Sequence, residues 1–584
     1  MSHKSSLCTT TNRACLLGIT EEPFWTNTLP VDTLTDESIA FLREQLRDCL
    51  DQHPRCRQDG GARPTRLLRI KELQSTDGCV CLDDSTQSEI TAYVTLSHCW
   101  GNVQPIRLTR TTEASLRTGL PVQRLPKTFK EAVHVCRELG VQYIWIDSLC
   151  TFQDDLKDWA TEAAVMRSVY KNALFNIAAS GAPNSLTGLS FERHPPAHQP
   201  FQTAVGSSEY WVSPPDWTDE IVSKSPLNRR AWVVQERFLS KRIIHFTTAG
   251  PYWECMETGA NEVHRLGPPF KFFMFRIASF LKYELFMIEA GTPFSREVQD
   301  NFYICWLHIL SEYTKCGTTK DTDKLVALKG IAEELTYKAG IGISCGLWRQ
   351  LIERELLWQV ETGEVRTDPP LLLTWRAPSW SWASANYSLS LDSYYVGHRG
   401  CVNRAESAKV TKLDVNPLPS GQLVSASLNI AGFLVRARVH VEQFSEYGTL
   451  IMTTTDTRKT RRIDSECLVF DRLPPCPYTE NLTFIAIMQC YCTEDSDEES
   501  DEEEGSEEEG SEEEDRMDIN VNDSKKEDKD GIEGQPSIAA LVLRRLPTTP
   551  TTYSRVGVLR LEGHESCEFY QESEPADREE ISIA

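Results

Sequence analysis

The chain has 584 residues, 40 % hydrophobic and 25 % charged, which is ordinary for a soluble globular protein and enough for several folded cores. Its formal charge of −24 is mostly local, because sixteen Asp and Glu fall between Glu494 and Asp515 with no Lys or Arg, leaving the remainder at −8. That balance offers no basic footprint for nucleic acid, no stretch approaches the length of an uncharged membrane span, and nineteen cysteines without a framework spacing argue for reduced thiols.

The first residues, MSHKSSLCTTTNRACLLG, lack an apolar core, so no secretory signal is expected and a cytoplasmic or nuclear location is. TDESIAFLREQLRDCLDQH (35–53) reads as an amphipathic helix capped by Thr35 or Asp36. Cys49, His53 and Cys56, with Cys79 and Cys81 further on, have the chemistry of metal ligands. Yet Cys49 and His53 share a helix face at i, i+4 and no Cys-x-x-Cys occurs, so a packed face is expected and no metal site.

TRLLRIKEL (65–73) is an expected strand, and TAYVTLSHCW (91–100) is the next. The second ends in Ser97, His98, Cys99 and Trp100 before Gly101. Either the strand simply stops at a glycine with its Trp packed on the core, or it carries a site at the carboxyl end of a parallel strand. LPKTFKEAVHVCRELG (125–140) has Pro near its start and Gly at its end, as helices do. VQYIWIDSLC (141–150) reads as a buried strand closed by Asp147, QDDLKDWATEAAVMRSVYKNA (153–173) as a helix, and LFNIAAS (174–180) as a third strand. This alternation predicts βαβ units and a mostly parallel sheet.

Short strands EYWVS, RIIHF and PYWEC follow, around one helix, NRRAWVVQERFLS (228–240). Helices are expected over 270–290, 296–313, 321–338 and 346–360; the first of them, although very apolar, is broken by Lys271, Arg276, Lys282 and Glu284 and does not read as a membrane span. From 371 onward the pattern turns to strands, beginning with LTWRAPSWSWAS, which predicts an antiparallel sandwich or barrel. The acidic run lies between expected strands 482–492 and 537–545 and is expected to be a disordered loop. Ser496, Ser500, Ser506 and Ser511 within it suit an acidophilic kinase.

The organisation expected is therefore a lead segment (1–88, helix plus strand), an α/β domain (89–265), a helical region (266–365) and a β-rich domain (366–584) with an acidic insertion at 493–535. The common phosphate-loop, dinucleotide and zinc-protease signatures are absent. If strands 93–97 and 142–147 are neighbours, His98, Asp147 and Glu162 converge on one crevice; otherwise Asp147 caps loop amides in a structural network. Arg229, Arg230, Trp232, Gln235, Glu236, Arg237 and Arg242 crowd into fourteen residues, with Trp232, Gln235 and Glu236 on one helix face. A structural salt-bridge cluster is the preferred reading of that crowd.

Four stretches together resemble the fungal heterokaryon-incompatibility (HET) domain: YVTLSHCWG (93–101), LPKTFKEAVHVCRELGVQYIWIDSLC (125–150), QDDLKDWATEAAVMRSVYKNALFNIAAS (153–180) and SPLNRRAWVVQERFLSKRIIHF with WEC (225–255). DTDKLVALKGIA (321–332), GLWRQLIERELLW (346–358), APSWSWAS (377–384) and YSRVGVLRLE (553–562) resemble the tail of long members. Ala231, Glu131 and the pair Thr151-Phe152 depart mildly from the family pattern. The resemblance implies a role in non-self recognition, with the HET domain triggering cell death or growth arrest through protein partners or self-association. The family has also been likened to TIR domains, some of which hydrolyse NAD, an analogy of fold that assigns no chemistry by itself. Ser97, His98 and Trp100 resemble signature residues of the family and, with Arg230 and Trp232, are the candidate binding residues; were the chain an enzyme, one of the carboxylates Asp147, Glu162 and Glu236 would be catalytic, stabilising an oxocarbenium-like transition state. No cofactor is expected, and NAD enters only as a candidate substrate.

Overall fold

A computed structural model describes residues 15–18, 29–263, 265, 288, 294–361, 375–390, 401–492 and 535–584, apart from 58–59, 74–75, 86–89, 103–105, 194–200, 206–207, 214–220, 319, 419–421, 442–448, 456–457, 465–466, 472–477, 548, 550, 563, 573 and 576. The expected helix over 270–290 and the acidic run with its four serines lie outside the described residues. The chain divides into two compact units, 1–391 with 413–427 and 392–412 with 428–584.

The first unit opens with β1 (Cys15–Gly18) and α1 (Asp36–Gln52). Thr35 caps α1 by accepting from Ser38 N, and Ile39, Phe41, Leu42, Leu46 and Cys49 bury one side of it. Strands β2 (Arg66–Leu73) and β3 (Thr76–Asp84) form a hairpin, and β4 (Val94–Ser97) follows. Next come α2 (Glu113–Thr118), β5 (Leu120–Pro121) and α3 (Lys127–Glu138), which begins directly after Pro126, where a missing N–H costs nothing. Strand β6 (Tyr143–Ile146) stops one residue before Asp147, which opens a single turn, α4 (Asp147–Cys150), instead of closing the strand. Helix α5 (Leu156–Lys171) is capped by Asp155 and leads to β7 (Asn176–Ala178).

The chain continues through β8 (Phe201–Val205), β9 (Ser208–Ser213), α6 (Ala231–Leu239), β10 (Arg242–Thr247), β11 (Gly250–Cys255) and β12 (Gly259–Asn261). Nine strands make one sheet in the order β12-β11-β10-β7-β4-β6-β2-β3-β5, and β1, β9 and β8 make a separate small one. The centre of the large sheet is parallel, with Leu96 facing Ile146 on one side and Ile177 on the other. Strand β10 extends this parallel core, pairing Ile244 with Ile177. These strands are buried throughout, as parallel strands covered on both faces are. The sheet is nonetheless mixed and not mostly parallel. Links between β2 and β3 and between β10 and β11 are too short for a crossover, so those pairs run antiparallel. The lead segment thus supplies two strands of this sheet.

After β12 the described chain is helical, with α7 (Arg296–Thr314), two short 3-10 turns at 321–323 and 326–328, and α8 (Lys329–Ala339). The helix expected over 346–360 is not formed as one piece. Cys345 and Gly346 both have positive φ (52° and 84°), which breaks a helical path and joins β13 (Ile343–Ser344) to β14 (Leu347–Trp348) as a hairpin. A 3-10 turn and the single turn α9 (Ile352–Glu355) follow. Trp348 is fully buried against Phe302 and Trp306, at ring distances of 5.0 and 5.1 Å. The strand expected through WSWAS is instead a 3-10 turn at Trp382–Ser384, with Trp358 Nε1 and Trp382 Nε1 donating to backbone carbonyls.

The strands after residue 400 form a second sheet: β15 (Cys401–Glu406), β16 (Lys409–Pro417), β17 (Leu423–Gly432), β18 (Leu434–Val441), β19 (Thr449–Thr454), β20 (Thr460–Asp464), β21 (Leu468–Phe470), β22 (Tyr478–Cys492), β23 (Gln535–Arg545), β24 (Thr552–Glu562) and β25 (Glu579–Ile583). The helix α10 (His564–Gln571) lies between the last two. All eleven join one hydrogen-bonded sheet, antiparallel where β18, β19, β22, β23 and β24 meet in sequence and parallel where β24 meets β25. Alternate residues of β18, from Val435 to Val441, enter its core beside Phe484, Val542 and Leu559. The acidic run is flanked by β22 and β23, where Cys492 faces Gln535 directly.

Candidate functional site

Because β4 and β6 are parallel neighbours, the residues leaving their carboxyl ends emerge side by side. Gly101 ends the β4 turn at φ 67°, and a Cβ there would fall 2.4 Å from Asn184 Cβ, so glycine is required. This turn sets Trp100 Nε1 to donate to Asp147 Oδ2 at 3.1 Å, while Ser148 N donates to Oδ1 at 2.7 Å. His98 Nδ1 lies 3.8 Å from Asp147 Oδ1. Asp147 is thus fixed from both strands while a third of its side chain (34 %) faces solvent.

A cleft of about 580 Å³ opens here, lined by Trp100, Asp147, Glu162, Arg230, Trp232 and Glu236. Trp159 and Asp323 also line it, as does Lys320, whose Nζ sits 5.7 Å from the Trp159 ring centre. Trp159 and Trp232 meet edge to face at 6.5 Å. A concave apolar wall with a few converging charges is the usual form of a small-molecule site.

Arg230 is the N-cap of helix α6, and Glu236 lies among the buried residues of that helix. Glu236 is buried, hydrogen-bonded by the Ser97 and Tyr170 side chains. Burial raises its pKa above the ordinary carboxylate range, against the lowering effect of nearby Arg230. Tyr170 is pushed far up by its own burial and then by Glu236 and Asp147, so its phenol keeps its proton. Arg230 Nη1 also donates to the His98 carbonyl oxygen.

Glu162 projects from α5 and is buried too. Burial raises its pKa, outweighing the lowering effects of the Thr65 side chain and then of Arg66, whose Nη2 lies 3.3 Å from Glu162 and 2.6 Å from Asp158. His98 is buried against the edge of Phe129, with ring centres 4.9 Å apart. Burial lowers its imidazole pKa, only partly opposed by Asp147, so it sits neutral. Its Nε2 has no hydrogen-bond partner among the described residues. Burial likewise raises the pKa of Asp323.

Six of the eight residues marked in the sequence therefore line one cleft. Ser97 and His98 do not line it; they are buried behind it, touching Glu236 and Asp147 respectively. Trp159, Lys320 and Asp323 were not marked. Trp159 stands three positions before Glu162 on the same helix, a spacing that shares a face and was the available signal. Lys320 and Asp323 come from a distant turn, and nothing local points to them. The arginine crowd divides. Arg237 is structural, bonding Glu254 at 2.7 Å, which in turn meets His245 Nε2 at 3.2 Å. Gln235 Oε1 accepts from Gly330 N at 2.7 Å and so ties α6 to α8.

Cys49 and Cys56 are fully buried, as a packed face requires, and they bring His53 with them to a third cysteine. Those three side chains gather around Cys255, while Cys79 and Cys81 stand elsewhere, with their sulfurs 3.9 Å apart.

Comparison with known proteins returns one finding. No curated protein and no solved structure matches the chain. The family model described as Heterokaryon incompatibility protein (HET) does match, over residues 93–236, the stretch that builds β4, β6, β7 and α6 around the cleft. The similarity to the HET family is therefore confined to residues 93–236, the part of the chain that carries most of the cleft.

Proposed function

We propose that this protein is an effector of fungal non-self recognition whose HET domain triggers cell death or growth arrest, and that the trigger is hydrolysis of the glycosidic bond of NAD or a related dinucleotide in the cleft. One observation carries the reading: a buried carboxylate of raised pKa, Glu236, and a solvent-reaching one, Asp147, line the same tryptophan-walled cleft as Arg230 and Lys320. A module acting purely by association needs no such pair.

The chemistry follows from the environments. In the reaction the C1′–N bond of the nicotinamide riboside breaks, and its electron pair leaves on the ring nitrogen as neutral nicotinamide. The ribose becomes oxocarbenium-like, and water adds to C1′. Glu236 is poorly solvated as an anion, so a cation developing beside it stabilises its ionised form more than water does. Asp147, oriented by Trp100 and Ser148, accepts the proton of the attacking water. Trp159 and Trp232 offer flat faces for the rings, and Arg230 with Lys320 offers charge for the pyrophosphate.

The test is release of nicotinamide from NAD by the purified full-length chain. Wild type should release it, and Glu236→Gln and Asp147→Asn should each lower the rate by about 100-fold or more. No release by wild type at high protein concentration would overturn the enzymatic reading and leave an associating effector.

A further inference from the structure

We propose that Cys49, His53, Cys56 and Cys255 bind one zinc ion that staples the N-terminal helix to the HET sheet. The site is distinct from the cleft and does not depend on the glycohydrolase reading. Its residues flank the family match, which covers only 93–236.

Local structure gathers three of the four ligands. Cys49 stands in the last turn of α1, and His53 is its C-cap, with His53 N donating to the Cys49 carbonyl at 3.2 Å. Pro54 then opens a 3-10 turn that brings Cys56 round, with Cys56 N donating to the His53 carbonyl at 3.2 Å. The fourth, Cys255, closes β11 where a tight turn leads to β12. The three thiols are buried and His53 is half-buried. All four ligand atoms lie within 4.8 Å of one another, and Cys255 Sγ is 3.5 Å from His53 Nδ1. Tetrahedral zinc with Zn–S of about 2.3 Å and Zn–N of about 2.0 Å places ligand atoms about 3.5 to 3.8 Å apart. Four protein ligands leave no open position, which is the pattern of a structural ion and not a catalytic one.

Charge gives a second, independent observation. Arg242 is 1 % exposed, and no carboxylate pairs with it among the described residues. Its guanidinium instead donates to Cys49 Sγ at 3.1 Å and to the carbonyls of Cys56 (2.7 Å) and Leu174 (3.2 Å). A buried cation among neutral groups is costly. Zinc with three thiolates and a neutral imidazole carries a net charge of about −1, and Arg242 beside it supplies the balance. The sulfurs are also placed as acceptors: Thr258 N donates to Cys255 Sγ at 3.2 Å. Amide and guanidinium donors to sulfur favour thiolate, the form that binds metal.

The experiment uses full-length protein purified without chelator, with metal measured by mass spectrometry of the elements. The expected result is about one zinc per chain in wild type and in Cys79→Ser, and loss of it in Cys255→Ser and His53→Ala. Since a ligand variant can fail to fold, cobalt is also exchanged into wild type, where it should show the thiolate charge-transfer band and intense visible bands of a tetrahedral site. Zinc retained at full stoichiometry by folded Cys255→Ser would overturn the proposal. So would wild type with neither zinc nor a cobalt–thiolate spectrum, or a native disulfide joining any two of the three cysteines.

Discussion

Two buried carboxylates of the first unit, Glu334 on α8 and Glu236 on α6, show opposite treatments of the same problem. Glu334 is fully buried, and burial alone would raise its pKa; Lys171 at 2.8 Å and Arg167 at 2.7 Å outweigh that and hold it below the ordinary range. Glu236 is buried as deeply in practice, yet it keeps only hydroxyl partners and a nearby Arg230 that also bonds the His98 carbonyl, so its pKa goes up. The first arrangement stabilises the fold. The second leaves a charge unsatisfied at a cleft, the condition under which an incoming ligand has most to gain. Glu162 stands between them, with one arginine that it shares with Asp158.

Substitutions along this series test the contrast. Glu334→Gln should cost the most, about 3 kcal/mol in denaturant unfolding, because it strands two cations in a partly buried site. The folded pKa of Glu334 is lowered, so its contribution is present above the ordinary carboxylate value and is lost as pH falls through the folded one. If the variant is as stable as wild type at neutral pH, the distinction between the two sites collapses.

Glu162→Gln should shift stability by only about 0.5 kcal/mol or less by the same measurement, since Arg66 retains Asp158 and burial already disfavours the ionised Glu162. Glu236→Gln should go the other way. A carboxyl whose folded pKa is raised makes the folded state the better proton binder, so it lowers stability as pH climbs above the ordinary carboxylate value. The variant should therefore match wild type at acid pH and exceed it by up to about 1 kcal/mol at pH 8. A lower melting temperature at pH 8 would mean that the Ser97 and Tyr170 hydrogen bonds to the carboxylate outweigh its burial. Asp147→Asn, at a third-exposed position, should shift stability by about 0.5 kcal/mol or less while nicotinamide release falls. A large melting shift there would instead make Asp147 a capping residue of α4.

What was legible in the sequence follows from the range of the interactions involved. The run from Tyr93 to Ser180 alternates apolar strands with helices, each set by neighbours in the chain, and the parallel pairing of β4 with β6 and β7 follows from that rhythm. The strand ends were legible only to within a few residues: β4 stops at Ser97 and β6 at Ile146, so Trp100 and Asp147 stand just beyond the strands and not in them. The antiparallel flanks of the sheet were harder, because continuous apolar runs such as RIIHF read alike in either direction. The hairpin at Cys345 and Gly346 falls across the expected start of a helix at 346, and positive φ at a non-glycine residue such as Cys345 leaves no compositional trace. Lys320 reaches the cleft, and Cys255 reaches His53, from distant parts of the chain, beyond anything spacing records.

The facing of Cys492 and Gln535 across β22 and β23 has a practical side. Paired positions on antiparallel strands lie about 5 Å apart. The chain therefore leaves the sheet and re-enters it through what is geometrically a single doorway. The strand register is fixed by Phe484 to Cys492 against Val542 to Gln535, with no reference to the length of chain between the two doorposts. That makes the position a natural docking port for engineering: a reporter domain whose own termini lie close together can be spliced between Cys492 and Gln535 while every rung of the ladder below stays in place.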